Sequence, residues 1–586
     1  MPHTARPIAV PRTLDPLSAA LQRMLDHRHL MFVVLSFFVF ITIVYPLLQV
    51  SVRSFIVDGA ASLANYEQVF GLRRNYVAIW NSIWVSVLAT VLAAAIGVVS
   101  AFLVQRTDIP AKNLFRALLV LPFAIPPLFA AIGWVQLAGP VGLVSQAWRW
   151  LFAAGTVPWD VYTPWGIIFV LAVTKYPFVL ITVAGALQRM DPSLEEAARS
   201  AGVGTWRIMR DITLPLVRPA IYGGALLAFV SSIDNFGIPA VLGMRVHFYV
   251  LTTRIYEALT VPNMPLATAM SMLLVGLALV SMVSFRYAEG GSDKYTVVSG
   301  KSVTPNVVRL GRWRALVTAG LVILVIVIVV LPLLALTLTS FLRYWGADLS
   351  WANMTLEHYA AVLQTAAARR GIVNSLLLGA AAATILVAAT ALISYLTVKA
   401  KYRAAHWLDV AGITPFALPG SVIGVSMILA WSNPPVGPTL YGTIWILLVA
   451  YIMRYMAFGL QTTRATLQQI HGSLEEAAMT AGASRLRVLK DITLPLLRPG
   501  MVAGWVLIFI SAFNELTVSV LIWTSGSETI GVWIFLMTDS GHTERAAGLA
   551  VLTLPVILVL YLLMQWLARL EERRAERAGL TEGKEK

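Results

Sequence analysis

The stretch Ser193–Pro219, SLEEAARSAGVGTWRIMRDITLPLVRP, returns 280 residues later at Ser473–Pro499 as SLEEAAMTAGASRLRVLKDITLPLLRP, ungapped and with 17 of 27 positions identical. Both copies are polar and charged, yet each is flanked by long apolar runs. Of the 586 residues, 58% are hydrophobic and only 12% charged, with a mean hydropathy of +0.76. A soluble domain carries about twice that share of charge, so the solvent for most of this chain is lipid. The net charge of +15 is spread between apolar runs and forms no single basic patch, which argues against nucleic acid. With no cysteine, disulfides, thiolate metal sites and cysteine nucleophiles are excluded. No His spacing suits a metal, so no metal site is assigned.

A membrane-crossing helix needs roughly 20 mainly apolar residues. Candidates lie near 30–52, 78–104, 114–138, 164–187, 219–243, 265–288, 315–340, 372–398, 408–431, 440–463, 499–524 and 545–569. The first is too long for a signal-peptide core and reads as a retained span. The sequence therefore predicts an all-α polytopic membrane protein of about 12 transmembrane helices. With both termini inside, the cytoplasmic segments hold 32 basic residues and the outer side 10, with Lys175 and Arg454 inside spans. That bias puts both copies of the repeated loop in the cytoplasm.

The repeat extends beyond the loop. NSIWVSVLATVLAAAIGVVSAFLV at Asn81 matches NSLLLGAAAATILVAATALISYLT at Asn374, and LPFAIPPLFAAIGW at Leu121 matches TPFALPGSVIGVSM at Thr414, both at an offset of 293. The change from 293 to 280 places 13 extra residues in the first half, expected in the outer loop around GPVGLVSQAWRWLFAAGTVPWD. Six spans per half return the charged loops to one face, so the two six-span repeats are parallel. The expected units are a cytoplasmic segment 1–29, a first six-span repeat 30–288 (core about 75–288), a linker 289–314, a second repeat 315–569 (core about 370–569) and a tail 570–586.

Within each loop, Ser193 with Glu196 and Ser473 with Glu476 fit a capping box, which predicts a short helix starting at each Ser. Gly202 and Gly482 sit where a glycine ends such a helix. Glu-Ala-Ala, three residues, Gly, nine residues, Ile-x-Leu-Pro resembles the signature loop of binding-protein-dependent ABC importer permeases of the type I fold. The first copy carries it on Glu196, Ala197, Ala198, Gly202, Ile212, Leu214 and Pro215, preceded by Glu195. The second carries it on Glu476, Ala477, Ala478, Gly482, Ile492, Leu494 and Pro495, preceded by Glu475. One departure, Asp191-Pro192 against His471-Gly472, lies outside the signature and bears on how the chain enters the helix.

The resemblance covers nearly the whole chain as two fused permease domains and is nearest to the ferric iron branch. Thiamine, sulfate, phosphonate and polyamine permeases are alternatives. It implies that each loop is a coupling helix docking on one of two copies of a cytoplasmic ABC ATPase subunit, and that a periplasmic binding protein delivers substrate. It also places the chain in a bacterial inner membrane. No GxxxxGK[ST] run occurs, so the chain is expected to bind no cofactor and catalyse nothing, with ATP and Mg on the partner. A self-energised secondary carrier is the alternative of another class, and it leaves the twin loops unexplained.

Charged groups in spans are costly and default to functional candidates. SSIDNFGIP places Asp234 and Asn235 deep in the fifth span, and SAFNELTVS places Asn514 and Glu515 at the matching positions of the eleventh. These four could line a path for a hard cation, or could cap and kink helices beside a re-entrant loop. Lys175 and Arg454 could meet an anionic substrate or neutralise Asp234 and Glu515. Trp159, Tyr162, Trp165, Trp431 and Tyr441 read as interfacial anchors.

Overall fold

The computed structural model describes residues 27–153, 155–289 and 307–582. Of the expected terminal and linking segments, residues 1–26, 290–306 and 583–586 lie outside them. Among the described residues, eleven helices are long and apolar enough to cross a membrane, or twelve if a pair bent by 116° counts as one span. The only strands described are a two-residue pair, Ile56–Val57 with Ala60–Ala61. The first half contains α1 (Arg28–Arg53), α2 (Arg73–Arg106), α3 (Pro127–Ala138), α4 (Pro164–Arg189), α5 (Ser193–Ser200), α6 (Thr205–Ile233) and α7 (Gly237–Gly243). The second contains α8 (Gly311–Phe341), α9 (Ala366–Lys399), α10 (Gly420–Trp431), α11 (Ile444–Gln469), α12 (Ser473–Thr480), α13 (Leu489–Phe513) and α14 (Ser519–Ile522). Each half closes with a further long helix, Met264–Glu289 and Thr543–Glu582.

Within each half three spans pack on one another: α2, α4 and α6, and correspondingly α9, α11 and α13. Lipid supplies no hydrophobic drive between helices, so close packing must come from small residues that let backbones approach. A Cβ on Gly97 of α2 would lie 2.7 Å from the Val179 Cβ and 2.9 Å from the Tyr176 carbonyl oxygen of α4. At the matching place in the second half the bulk is exchanged. Thr390 of α9 faces Gly459 of α11, where an added Cβ would sit 2.7 Å from the threonine Oγ1. The same crossing is kept with the small residue on opposite partners.

The Asn-Ser pair opening each repeated core also does one job twice. Asn81 donates to the Tyr249 carbonyl (2.9 Å), while Ser82 accepts from the Leu251 amide (2.7 Å) at the start of helix Leu251–Thr260. Asn374 donates to the Glu528 carbonyl (2.8 Å), and Ser375 accepts from Ile530 (2.9 Å) at the start of Ile530–Asp539. The halves also trade their first spans. α1 packs on α10, with the Tyr45 hydroxyl donating to the Ala430 carbonyl at 3.1 Å, and α8 packs on α3. Trp431, expected at an interface, is instead buried against Tyr45 with ring centroids 5.8 Å apart.

Four expected spans are interrupted. The 114–138 run breaks at Pro126-Pro127, where α3 starts, and the 408–431 run breaks at Leu418-Pro419 before α10. Proline disfavours helix in the residue before it and supplies no amide, so both turns are local. The 219–243 and 499–524 runs end at Ile233 and Phe513. Their remainders form the separate helices α7 and α14. Polar residues at 234–235 and 514–515 turn the chain out of each helix.

Gly97→Leu should lower the thermal unfolding midpoint in detergent, at a cost of about 1–3 kcal/mol for overpacking. Gly320→Leu, at a position with nothing within 4 Å of the new Cβ, should leave the midpoint unchanged. Adding Val179→Gly to Gly97→Thr, which copies the second half's arrangement, should recover more stability than Gly97→Thr alone retains.

Candidate functional site

Two features stand apart from the packed spans: the short helices α5 and α12, and a polar cavity between the halves. The helices begin as expected but for another reason. Neither Ser193 nor Ser473 caps its helix with its hydroxyl. The Ser193 amide donates instead to Asp191 Oδ1 (2.9 Å), and the Ser473 amide reaches His471 Nδ1 at 3.3 Å. The departure in the sequence is thus one role filled by two residue types. The bond from Ser193 also holds the Asp191 carboxyl below its ordinary range.

The ends form as read. Gly202 (φ 80°) and Gly482 (φ 89°) lie in the left-handed region. The Gly202 and Val203 amides donate back to the Arg199 and Ala198 carbonyls, both at 3.0 Å, and Gly482 and Ala483 do the same to Met479 and Ala478. This is the doubly bonded glycine end of a helix.

Glu195 is not on the exposed surface of α5. It is buried, pairs with Arg106 at 2.8 Å and accepts from the Thr213 hydroxyl at 2.6 Å. Glu475 accepts from Thr493 at 2.8 Å and lies 3.8 Å from Lys399 Nζ, which donates to the Ile470 carbonyl at 2.7 Å. Arg106 and Lys399 are 293 residues apart, Thr213 and Thr493 280, so the clasp is itself repeated. Sequence reasoning missed its basic and hydroxyl members. The available signal was a basic residue ending the first core helix of each half at the established offset. Glu196, Ala197 and Gly202, with Glu476, Ala477 and Gly482, face outward, beside the exposed Leu194, Trp206 and Leu474. Ala198, Ala478, Ile212 and Ile492 are half-buried. Leu214 and Pro495 are exposed, whereas Leu494 and Pro215 are half-buried.

The six intramembrane candidates converge. Lys175, Asp234, Asn235, Arg454, Asn514 and Glu515 all line one cavity of about 210 Å³, together with the Pro126-Pro127 break. Asp234 of the first half accepts from Arg454 of the second at 2.8 Å, and from the Gly420 amide at the start of α10 at 2.5 Å. Arg454 also reaches Glu515 at 3.5 Å. A Cβ on Gly420 would lie 2.4 Å from an Arg454 nitrogen, so this approach requires glycine.

Asn235 and Glu515 occupy matching positions and do matching work. Asn235 Oδ1 accepts from the Ile238 amide at 2.9 Å, and Glu515 accepts from the Val518 and Ser519 amides at 3.1 Å. They cap α7 and α14 while bordering the cavity. The cross-half pair is written on one side only. The counterparts of Asp234, Arg454 and Gly420 are Asn514, Thr174 and Pro127, which carry neither charge nor, in the proline, an amide.

With this geometry in place, comparison with known proteins decides the family. A family described as "binding-protein-dependent transport system inner membrane component" matches residues 93–291 and again 389–577. The chain belongs to that family. It is a multi-pass inner-membrane permease subunit of an ABC importer. It is 26% identical over 556 residues to the ferric transport system permease protein FbpB of Actinobacillus pleuropneumoniae, covering 92% of this chain and 78% of that one. It is 28% identical to a putative ferric transport system permease, FbpB 1, of Haemophilus influenzae, covering 84% and 77%. A putative 2-aminoethylphosphonate transport system permease protein, PhnV, of Salmonella paratyphi A matches 42% of this chain at 30% identity over 92% of its own length.

Arg454→Gln should lower stability by about 3 kcal/mol, because breaking a buried pair strands its carboxylate partners. The double variant with Asp234→Asn should be more stable than the sum of the two single losses predicts. Additive losses in detergent unfolding would show that the pair is not coupled.

Proposed function

We propose that this chain forms the membrane pathway of an ATP-driven ferric iron importer, with hydrolysis on two copies of a separate ABC ATPase subunit. The observation that carries the mechanism is the pair of outward-facing helices α5 and α12, each fastened to a core span by a glutamate clasp, buried at Glu195 and half-buried at Glu475. A partner that pulls on α5 moves α2 through Glu195 and Arg106, and one that pulls on α12 moves α9 through Glu475 and Lys399. Residues 30–288 and 315–569 are the two permease units, and the face bearing α5 and α12 is cytoplasmic, in line with the basic-residue bias. ATP closure then draws the two helices together and rocks the halves about the cavity. A periplasmic binding protein supplies substrate at the opposite face.

Iron is favoured by the ferric permease relatives, whose similarity runs through both halves. The cavity residues Asp234, Asn235, Asn514, Glu515, Lys175 and Arg454 are the proposed path lining. Their two cations and two carboxylates cancel, and both Asp234 oxygens are engaged. Such a lining passes an ion without holding it, which leaves selection to the binding protein. A phosphonate is the second reading, favoured by the PhnV relative and by the two cations at the cavity.

The test is uptake into proteoliposomes carrying this chain, its ATPase and its binding protein. Iron uptake should require ATP, and metal analysis of the purified binding protein should find ferric iron. Thiamine or phosphonate bound there would replace the substrate, whereas uptake with no associated ATPase would overturn the mechanism. Gly202→Leu and Gly482→Leu should each abolish uptake while leaving folded protein. An added Cβ meets nothing within 4 Å at either position, so the structural cost is about 1–2 kcal/mol of left-handed strain. Asparagine, which tolerates that conformation, should retain more uptake than leucine.

A further inference from the structure

A second, wide-open groove of about 710 Å³ lies along the start of α8 and shares no lining residue with the polar cavity. Its floor is the first three turns of α8: Arg312 and Arg314 at one end, then Ala315, Ala319, Val322 and Ile323 leading away from them. Pro110 closes its side. The apolar part runs roughly 14 Å from Arg314 to Ile323 at helical rise, and Ile323 is exposed. The small Ala315 and Ala319 make the groove, and the aliphatic residues beyond give it a hydrocarbon wall.

The charge at its mouth is one-sided. Arg312 stacks over the exposed Trp313 at 5.6 Å, an arrangement suited to the headgroup layer. Lys112 and Arg314 lie close enough to influence Asp108, the acid that faces this end. Asp108 is already engaged, accepting from the Leu310 amide at 2.9 Å. Three cations thus stand against one occupied carboxylate. Thr318 lines the groove between the basic and apolar parts, with its hydroxyl oxygen buried.

We infer that this groove is a binding site for one anionic phospholipid, its phosphate at Arg312 and Arg314 and an acyl chain along Ala315–Ile323. Basic residues at the headgroup level attract anionic lipid, and the apolar groove below distinguishes a lipid from free phosphate. The site is also joined to α5. The strap 308–310 bonds to residues 106–108, with the Val308 amide on the Arg106 carbonyl at 2.7 Å, and Arg106 holds Glu195.

The test uses the full chain, delipidated in detergent and titrated separately with dioleoyl phosphatidylglycerol and dioleoyl phosphatidylcholine, with bound lipid counted by native mass spectrometry. One phosphatidylglycerol should be retained at a concentration at least fivefold below that for phosphatidylcholine. The double variant Arg312→Ala/Arg314→Ala should erase that preference. Ala319→Trp, which fills the groove and keeps the charge, should also lose the bound lipid. Glycerol 3-phosphate at equal concentration should not compete. Equal retention of the two lipids by the unaltered chain, a preference surviving both variants, or displacement by glycerol 3-phosphate would each overturn the site.

Discussion

A helix that ends inside a bilayer leaves backbone donors that hydrocarbon cannot satisfy, and the centre of this molecule is organised by that constraint. Four helices start or restart there: α3, α7, α10 and α14. Proline removes some of the orphan donors at α3, and side chains answer others. Asn235 serves α7, Glu515 serves α14, and Asp234 crosses from the first half to serve α10. The polar cavity is therefore bordered by the groups that cap these helices. A broken helix is tolerated at depth only where it lines a cavity or is buried in protein, so breaks and cavity require each other.

The same constraint explains why the two halves are not copies. A carboxylate at the first position of the pair needs a cation and a donor opposite, and the second half supplies Arg454 and Gly420. The first half has Thr174 and Pro127 there, and the residue facing them is the neutral Asn514. Each change is intelligible only beside its partner in the other half. The packing shows the same logic without charge. Gly97 against Val179 and Thr390 against Gly459 preserve one interhelical distance by opposite choices. A fused chain permits this, because each half meets one fixed partner.

Much of this was legible beforehand, and the failures have physical causes. The repeat, its two offsets and the glycine ends of α5 and α12 follow from residue types whose backbone demands are local. Hydropathy overran at 219–243 and 499–524 because it scores the apolar residues after Asp234 and Asn514 as readily as those before, and cannot see a turn made by two polar residues. The capping box misled because the Ser193 and Ser473 amides, expected to meet the Glu196 and Glu476 carboxylates, are taken by Asp191 and His471. Glu195 reads as surface in any linear view of a charged loop. Only the return of α2 beside that loop brings Arg106 to it. Trp431 reads as an anchor at the end of a span because nothing local announces that α1 crosses from the other half to cover it. Contacts between halves were the least legible class throughout.

A cavity whose charges cancel has a consequence for transport. A cation entering gains Asp234 and Glu515 only by displacing Arg454, and an anion gains Arg454 only by displacing the carboxylates. Either species exchanges one ion pair for another, so the well it enters is shallow. Permeation needs binding weak enough to leave as well as favourable enough to enter. In the proposed pathway the cross-half pair would supply that balance, and it joins the halves, because Asp234 and Arg454 belong to different ones. Any rearrangement that separates the halves must break this pair, leaving Arg454 with Glu515 of its own half and Asp234 with Lys175 of its own half at the cavity.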